Sequence, residues 1–188
     1  MNPLIKLALR GKFALTTRGQ AMNQARKALD SYMVLAMTLS EEAGKLPVRV
    51  PAMRGVDEDM RDWSFFMLLE HNLIVNRSIT TRIKTLVTGE ASPAPEGFDA
   101  KKDVMPSAIT GSPQVAAFRR SINEHVKLVS SLSQLCGTAT SQHPIFGTFD
   151  AHQWNCMLSF HLQIHLRQAA YIAEHAGDSI AGDLRVDQ

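Results

Sequence analysis

Apolar residues recur every three to four positions in four stretches of the chain, and no stretch shows sustained strand alternation. This spacing places apolar side chains on one face of a helix, so it predicts four amphipathic helices. They span about residues 21–43, 57–87, 112–136 and 150–176. The pattern therefore predicts an all-α protein, a helical bundle whose core covers about residues 20–176.

Capping residues mark the predicted helix ends. Asp57 or Asp62 is suited to begin the second helix, and Ser112, followed by a proline, is suited to begin the third. The fourth helix has the strongest start signal, because Asp150 and Gln153 have the spacing of a capping box. Residues that favour a helix end follow each stretch: Gly44, Pro47, Gly89, Gly137 and Gly177.

A long polar stretch, residues 89–111, separates the second and third predicted helices. Loops of this length are uncommon inside a compact domain. They are needed when two consecutive helices run parallel, because the chain must then return along a helix of about 28 residues, or about 40 Å. The stretch therefore predicts a bundle with a long crossover between helices 2 and 3.

Composition limits the class of protein. The 188 residues are enough for one domain, residues 1–188, and the net charge of +2 is too small to indicate a nucleic-acid-binding protein. No apolar run approaches the ~20 residues of a transmembrane helix. Two cysteines are too few for a disulfide framework, so we expect reduced thiols and a cytoplasmic location.

The first 20 residues have a basic character of their own. No acidic residue precedes Asp30, whereas Lys6, Arg10, Lys12 and Arg18 all lie in this segment. We interpret residues 1–20 as a solvated basic segment outside the core. A targeting peptide and a contact with an anionic membrane are the alternatives.

Two of the seven histidines, His161 and His165, stand four residues apart on the apolar face of the fourth predicted helix. Residues with this spacing lie one above the other, so both rings can reach one metal ion at about 2.0–2.1 Å. Two unpaired imidazoles in a core are costly, and a metal ion satisfies both. The pair therefore predicts a metal site, although this spacing also arises by chance.

His71 is the candidate third ligand, because it lies on the apolar face of the second predicted helix, near its middle. Metal sites in bundles are built from inward side chains on facing helices. Gln168, one turn beyond His165, is placed to orient that ring, whereas Glu70 is expected to point away. The alternative is a metal-free core in which the three rings bond to protein groups. The other histidines are expected to be structural.

These positions resemble the DinB-like superfamily of metal-binding four-helix proteins. The matching segments are Trp63-Ser64, Glu70-His71, His143-Pro144-Ile145-Phe146-Gly147 and His161-Leu162-Gln163-Ile164-His165-Leu166-Arg167-Gln168. The resemblance covers about residues 20–176. It implies an up-down-down-up bundle, a zinc, nickel or iron ion on His71, His161 and His165, and a homodimer.

Three protein ligands leave coordination positions open, as in catalytic rather than structural zinc sites. The resemblance implies chemistry with a low-molecular-weight thiol, such as bacillithiol or mycothiol. We therefore expect a metal-dependent thiol transferase or hydrolase acting on a small molecule, with no catalytic residue assigned beyond the ligands. The alternative is a non-catalytic, metal-stabilised bundle that serves as a binding or dimerisation module. The basic N-terminus and the long crossover depart from the family pattern, so substrate choice does not carry over.

Overall fold

The computed structural model describes residues 3–89 and 102–183, which are mostly helical. The helices are α1 (Pro3–Leu15), α2 (Arg18–Met37), α3 (Glu41–Lys45), α4 (Phe65–Thr88), α5 (Pro113–Ser131) and α6 (Ala151–Asp183). Two short antiparallel strand pairs join β1 (Val48–Arg49) to β2 (Asp62–Trp63), and β3 (Ser141–His143) to β4 (Gly147–Phe149). A 3₁₀ turn spans Glu58–Met60. The all-α class is confirmed.

The four long helices contact one another in cyclic order, α2 with α6, α6 with α4, α4 with α5, and α5 with α2. Tyr32 of α2 lies at their centre. Its hydroxyl donates to the Leu162 carbonyl of α6 (3.1 Å) and accepts from the Asn72 amide of α4 (3.2 Å). Its ring meets Phe118 of α5 edge-on, with centroids 5.1 Å apart. One buried side chain therefore links all four helices.

The second long helix begins later than predicted. Ser64 caps α4, because its hydroxyl accepts from the Met67 amide at 3.2 Å. Asp57 precedes only the 3₁₀ turn and makes no side-chain cap bond, while Asp62 pairs with Arg49 across the β1–β2 ladder. The predicted start at Asp57 or Asp62 was wrong, because residues suited to a helix cap are equally suited to turns.

The first and third long helices also differ from prediction at their ends. α2 starts at Arg18 behind a capping box on Thr17, and it stops at Met37 instead of reaching Ala43. α5 ends at Ser131 rather than Cys136. Ser112 makes no side-chain cap bond; its backbone amide instead donates to the Glu41 carboxylate at 3.2 Å.

The predicted start of the fourth helix is confirmed. The Gln153 amide donates to the Asp150 carboxylate at 2.8 Å, and the Asp150 amide donates to the Gln153 side-chain oxygen at 3.1 Å. The predicted end at Gly177 was wrong, since α6 continues to Asp183. A glycine inside a helix costs only about 1 kcal/mol relative to alanine, so it does not by itself end the element.

The basic first segment folds as α1, which the sequence did not predict. Leu9 and Phe13 are buried, and the Phe13 ring meets Phe149 and Phe160 edge-on at centroid distances of 5.8 and 6.1 Å. Lys12 lies over the Phe160 ring at 5.3 Å. One side of α1 therefore adds apolar side chains to the core, while Arg10 and Lys12 are exposed.

The predicted crossover, residues 89–111, falls largely outside the described residues, which resume at 102. Its described end leads directly into α5 and contacts α4 through Val104 and Ser107. None of the described helices combines the length and apolar character needed to cross a bilayer.

Candidate metal centre

α4 and α6 bring His71, His161 and His165 together, as predicted. One nitrogen from each ring lies within 4.8 Å of the other two. The ring centroids are 5.2 Å apart for His71 and His161, 4.9 Å for His71 and His165, and 4.6 Å for His161 and His165. His71 and His165 are buried, and His161 is partly buried.

The separation of the ring nitrogens fits one shared ion after a small closure. A tetrahedral ion at about 2.1 Å from each nitrogen needs the nitrogens about 3.4 Å apart. The ring nitrogens are at most 4.8 Å apart, so they exceed that spacing by no more than about 1.4 Å. Each imidazole lies at the end of two rotatable bonds, so small side-chain rotations are sufficient to close the gap.

A backbone carbonyl assigns the proton on His71. The ring Nδ1 lies 2.8 Å from the Val104 oxygen, and a carbonyl can only accept, so Nδ1 carries the hydrogen and donates it. The neutral ring then has its lone pair on Nε2. That nitrogen is buried and has no hydrogen-bond partner among the described residues. His71 therefore offers an unused electron pair inside the protein.

A glutamine assigns the proton on His165 in the same way. The Gln168 side-chain nitrogen donates to the Met60 carbonyl at 2.7 Å, which leaves the side-chain oxygen facing His165 Nδ1 at 2.9 Å. Nδ1 must therefore be the protonated nitrogen, and Nε2 again holds the lone pair. The contact predicted between Gln168 and His165 is present.

The third ring supplies a second unpartnered nitrogen. Nε2 of His161 is buried and, like Nε2 of His71, has no partner among the described residues. A buried polar atom left unpaired costs about 1–3 kcal/mol, so two such atoms in one cluster are expensive. An ion coordinated by both nitrogens would remove that cost, and the residues present therefore fit a metal ion.

Burial keeps the three rings neutral. It lowers the pKa of His165 to about 3, with an added contribution from His71. Burial also lowers the pKa of His161 well below its ordinary value, and the nearby His165, His71 and His143 lower it further. Burial lowers the pKa of His71 as well. Neutral imidazole is the form that binds metal, so the rings do not need to lose protons at pH 7.

The surroundings of the cluster are supplied by segments that connect the helices. Trp63, buried at the end of β2, lies 5.0 Å from the His71 ring, measured between centroids. Glu70 points away from the histidines and accepts from the Ser107 amide at 2.6 Å and from the Gln114 side chain at 3.2 Å. Glu70 is therefore a contact to the crossover and α5 and does not belong to the ligand group.

No other histidine of the described ranges joins the group. His125 is buried between Thr80, at 2.9 Å, and Asn155, at 3.0 Å. His152 lies 3.2 Å from a backbone carbonyl of α1, and His143 contacts aromatic rings in the β3–β4 pair and α6. These contacts agree with the structural roles expected for the three residues.

The cysteines do not contribute to the cluster. Cys136 is an exposed free thiol and Cys156 a buried one. Burial raises the pKa of Cys156 to about 12, so its thiol is protonated at pH 7 and is neither a nucleophile nor a ready metal ligand. Within the ranges that the structure describes, the candidate centre is built from imidazole nitrogens alone.

The sequence could not reveal the acceptors at Val104 and Met60, because backbone carbonyls leave no residue-specific signal.

A search of protein-family models, curated proteins and solved structures finds no match to this chain. A functional interpretation therefore depends on the three histidines and the groups that hold them.

Proposed function

We propose that this protein is a metal-dependent enzyme that holds one divalent transition metal, zinc, nickel or iron, on His71, His161 and His165. The observation that carries the proposal is the pair of buried Nε2 atoms on His71 and His161 that have no hydrogen-bond partner among the described residues, in a group whose ligand nitrogens all lie within 4.8 Å of one another. Imidazole suits all three metals, so the ligand set does not choose among them.

The ligand count favours catalysis over a purely structural role. Three imidazoles leave at least one coordination position for water or substrate, whereas structural zinc sites use four protein ligands. When bound, the ion would lower the pKa of a coordinated water or thiol and so supply a nucleophile at neutral pH. His71 and His165 would serve as oriented ligands, since their other ring nitrogens are already engaged.

The resemblance to DinB-like proteins supports the reaction class. It favours a transferase that uses a low-molecular-weight thiol, or a hydrolase, with a small-molecule substrate, and it favours a homodimer.

We also propose a cytoplasmic location. Support comes from Cys136 and Cys156, both free thiols, since reduced cysteines are typical of that compartment.

We further propose the up-down-down-up arrangement of α2, α4, α5 and α6. Hydrogen bonds from Asn76 to Ser121 and between Thr80 and His125 advance by four residues on α4 and on α5, which supports parallel helices. For α4 and α6 the contacts run in opposite order along the two helices, which supports antiparallel packing: His71 meets His165, and Arg82 meets Trp154. The same holds for α2 and α5, where Arg18 contacts Leu132 at the end of α5 and Met33 contacts Arg119.

Metal analysis of the purified protein tests the proposal. We expect one metal per chain, and we expect His71→Ala, His161→Ala and His165→Ala each to abolish stoichiometric binding. His175→Ala is the matched control, because that histidine also lies on α6 but is outside the candidate ligand group, and it contacts the carbonyl and the ring of Tyr171. Retention of one metal by all three ligand variants would contradict the site.

A second measurement separates enzyme from module. The metal-loaded and chelated proteins are compared for turnover of thiol and electrophile pairs and of ester substrates, and for melting temperature. Metal-dependent turnover supports the enzyme. A melting temperature that depends on metal, with no turnover by the loaded protein, would instead support a non-catalytic, metal-stabilised bundle.

A further inference from the structure

Gln168 is a buried glutamine whose amide group is paired at both ends. The side chain is fully buried, although glutamine is usually exposed. Its nitrogen donates to the Met60 carbonyl at 2.7 Å, and its oxygen lies 2.9 Å from Nδ1 of His165. Gln168 therefore connects one candidate ligand to the 3₁₀ turn that precedes β2.

The Met60 carbonyl fixes the direction of this connection. A carbonyl accepts only, so it must face the amide nitrogen of Gln168, and the amide oxygen must then face the His165 ring. An amide oxygen also accepts only, which requires a hydrogen on His165 Nδ1. The proton is thereby excluded from Nε2, the nitrogen that the ion would need.

We infer that Gln168 is a positioning residue that sets the tautomer and orientation of His165, and so the affinity of the site for an ion that Gln168 itself does not ligate. This inference rests on the proposed function, because it concerns the same three histidines. Groups that hold a metal-binding histidine by its second nitrogen typically change metal affinity 10–100-fold when they are removed.

Two substitutions separate positioning from simple tethering of the turn. Gln168→Leu removes both contacts, whereas Gln168→Glu, as the carboxylate, keeps an acceptor for His165 but has no donor for the Met60 carbonyl. If positioning of the ring matters, Gln168→Glu binds metal more tightly than Gln168→Leu. If only the tether to Met60 matters, both variants weaken binding equally. Gln163→Leu is the control, because Gln163 is an exposed glutamine on the same helix.

The tautomer is measured on the metal-free protein by nitrogen-15 NMR of labelled histidine at pH 7.5. We expect the hydrogen of His165 on Nδ1 in the wild type and in Gln163→Leu, and a shift toward Nε2 in Gln168→Leu. Zinc affinity, measured by competition with a chromophoric chelator, should fall about 10–100-fold in Gln168→Leu and recover at least in part in Gln168→Glu. Circular dichroism checks that each variant is folded.

The outcomes distinguish this inference from the metal proposal. A wild type that binds no metal defeats the proposed function, while the tautomer comparison still decides whether Gln168 controls His165. An unchanged tautomer in a folded Gln168→Leu, or zinc affinity equal to that of Gln163→Leu, would overturn the inference. Equal weakening in the leucine and glutamate variants would also overturn it, in favour of a tether.

Discussion

His71 donates its Nδ1 hydrogen to the Val104 carbonyl at 2.8 Å, so a ring on α4 is held by the segment that leads into α5. The same crossover segment is held a second time by Glu70, the residue next to His71. The candidate ligand and the crossover therefore share one short stretch of α4. A substitution in this stretch of α4 should therefore alter the position of the crossover segment, and a substitution in the crossover should alter the position of the His71 ring.

Metal should stabilise the folded protein measurably. A ligand that binds only the native state adds about 2.7 kcal/mol when its free concentration is 100 times its dissociation constant. We expect zinc to raise the melting temperature of the wild type and of His175→Ala, and to leave His165→Ala unchanged. Calorimetry of chelated and zinc-loaded samples makes the comparison, and an equal shift in His165→Ala would place the stabilising ion elsewhere.

Removing the Glu70 carboxylate should loosen the crossover without unfolding the bundle. Glu70 accepts from the Ser107 amide and the Gln114 side chain, and bonds to charged groups contribute about 1.5–3 kcal/mol when buried and less when exposed. In Glu70→Ala we expect faster hydrogen exchange at the Ser107 amide, with exchange in the centre of α6 unchanged. Glu124→Ala, at an exposed glutamate on α5, is the control; identical exchange at Ser107 in the two variants would argue against this link.

The metal-free protein should lose stability as the pH falls below 6.5. Burial lowers the pKa of His143 to about 4, with Arg82 adding to the effect, and burial lowers the pKa of His165 to about 3. Between each folded-state value and 6.5 the unfolded chain binds a proton that the native chain does not, so the free energy of unfolding falls as the pH is lowered through this range. Above 6.5 both states are neutral and these rings add no pH dependence.

Urea titrations between pH 8 and pH 4 check this slope, which each ring can raise by at most about 1.4 kcal/mol per pH unit. His143→Phe keeps an aromatic ring in the cluster with Phe146 and Trp154 but has no group to titrate. It should be less sensitive to pH between 6.5 and 4 than the wild type. A steeper slope in His143→Phe would mean that His143 is charged in the native state.

Tyr32→Phe should destabilise the core through the hydroxyl alone. Burial raises the pKa of Tyr32 above its ordinary value, so the hydroxyl keeps its hydrogen and donates to the Leu162 carbonyl. The substitution leaves that carbonyl and the Asn72 amide without this partner, at a cost of about 1–3 kcal/mol. Chemical denaturation measures the change, and Tyr171→Phe, at a partly buried tyrosine, should cost less.

The helical periodicity of the sequence was sufficient to predict the helices that carry the site. His71, His161 and His165 each lie on an apolar face, and packing of those faces brings polar rings at similar depth together. The start of α6 was equally predictable, since the Asp150 and Gln153 cap is a local interaction that depends on few residues.

Features that depend on distant parts of the chain were not predictable. α1 is short and interrupted by basic residues, and its helix is supported by contacts of Phe13 with Phe149 and Phe160, more than 130 positions away. The choice of Ser64 over Asp57 as the cap of α4 similarly depends on residues 62–63 pairing with β1. Local signals alone do not rank such alternatives.

The acceptors at Val104 and Met60 belong to the main chain, which every amino acid supplies. Exchanging either side chain therefore leaves the hydrogen bonds that these carbonyls accept from His71 and Gln168 intact, whereas deleting or inserting one residue beside either position moves the oxygen out of register. These two connecting segments should tolerate wide variation in composition and very little in length, so engineering of loops around the centre should keep residue number fixed and vary identity.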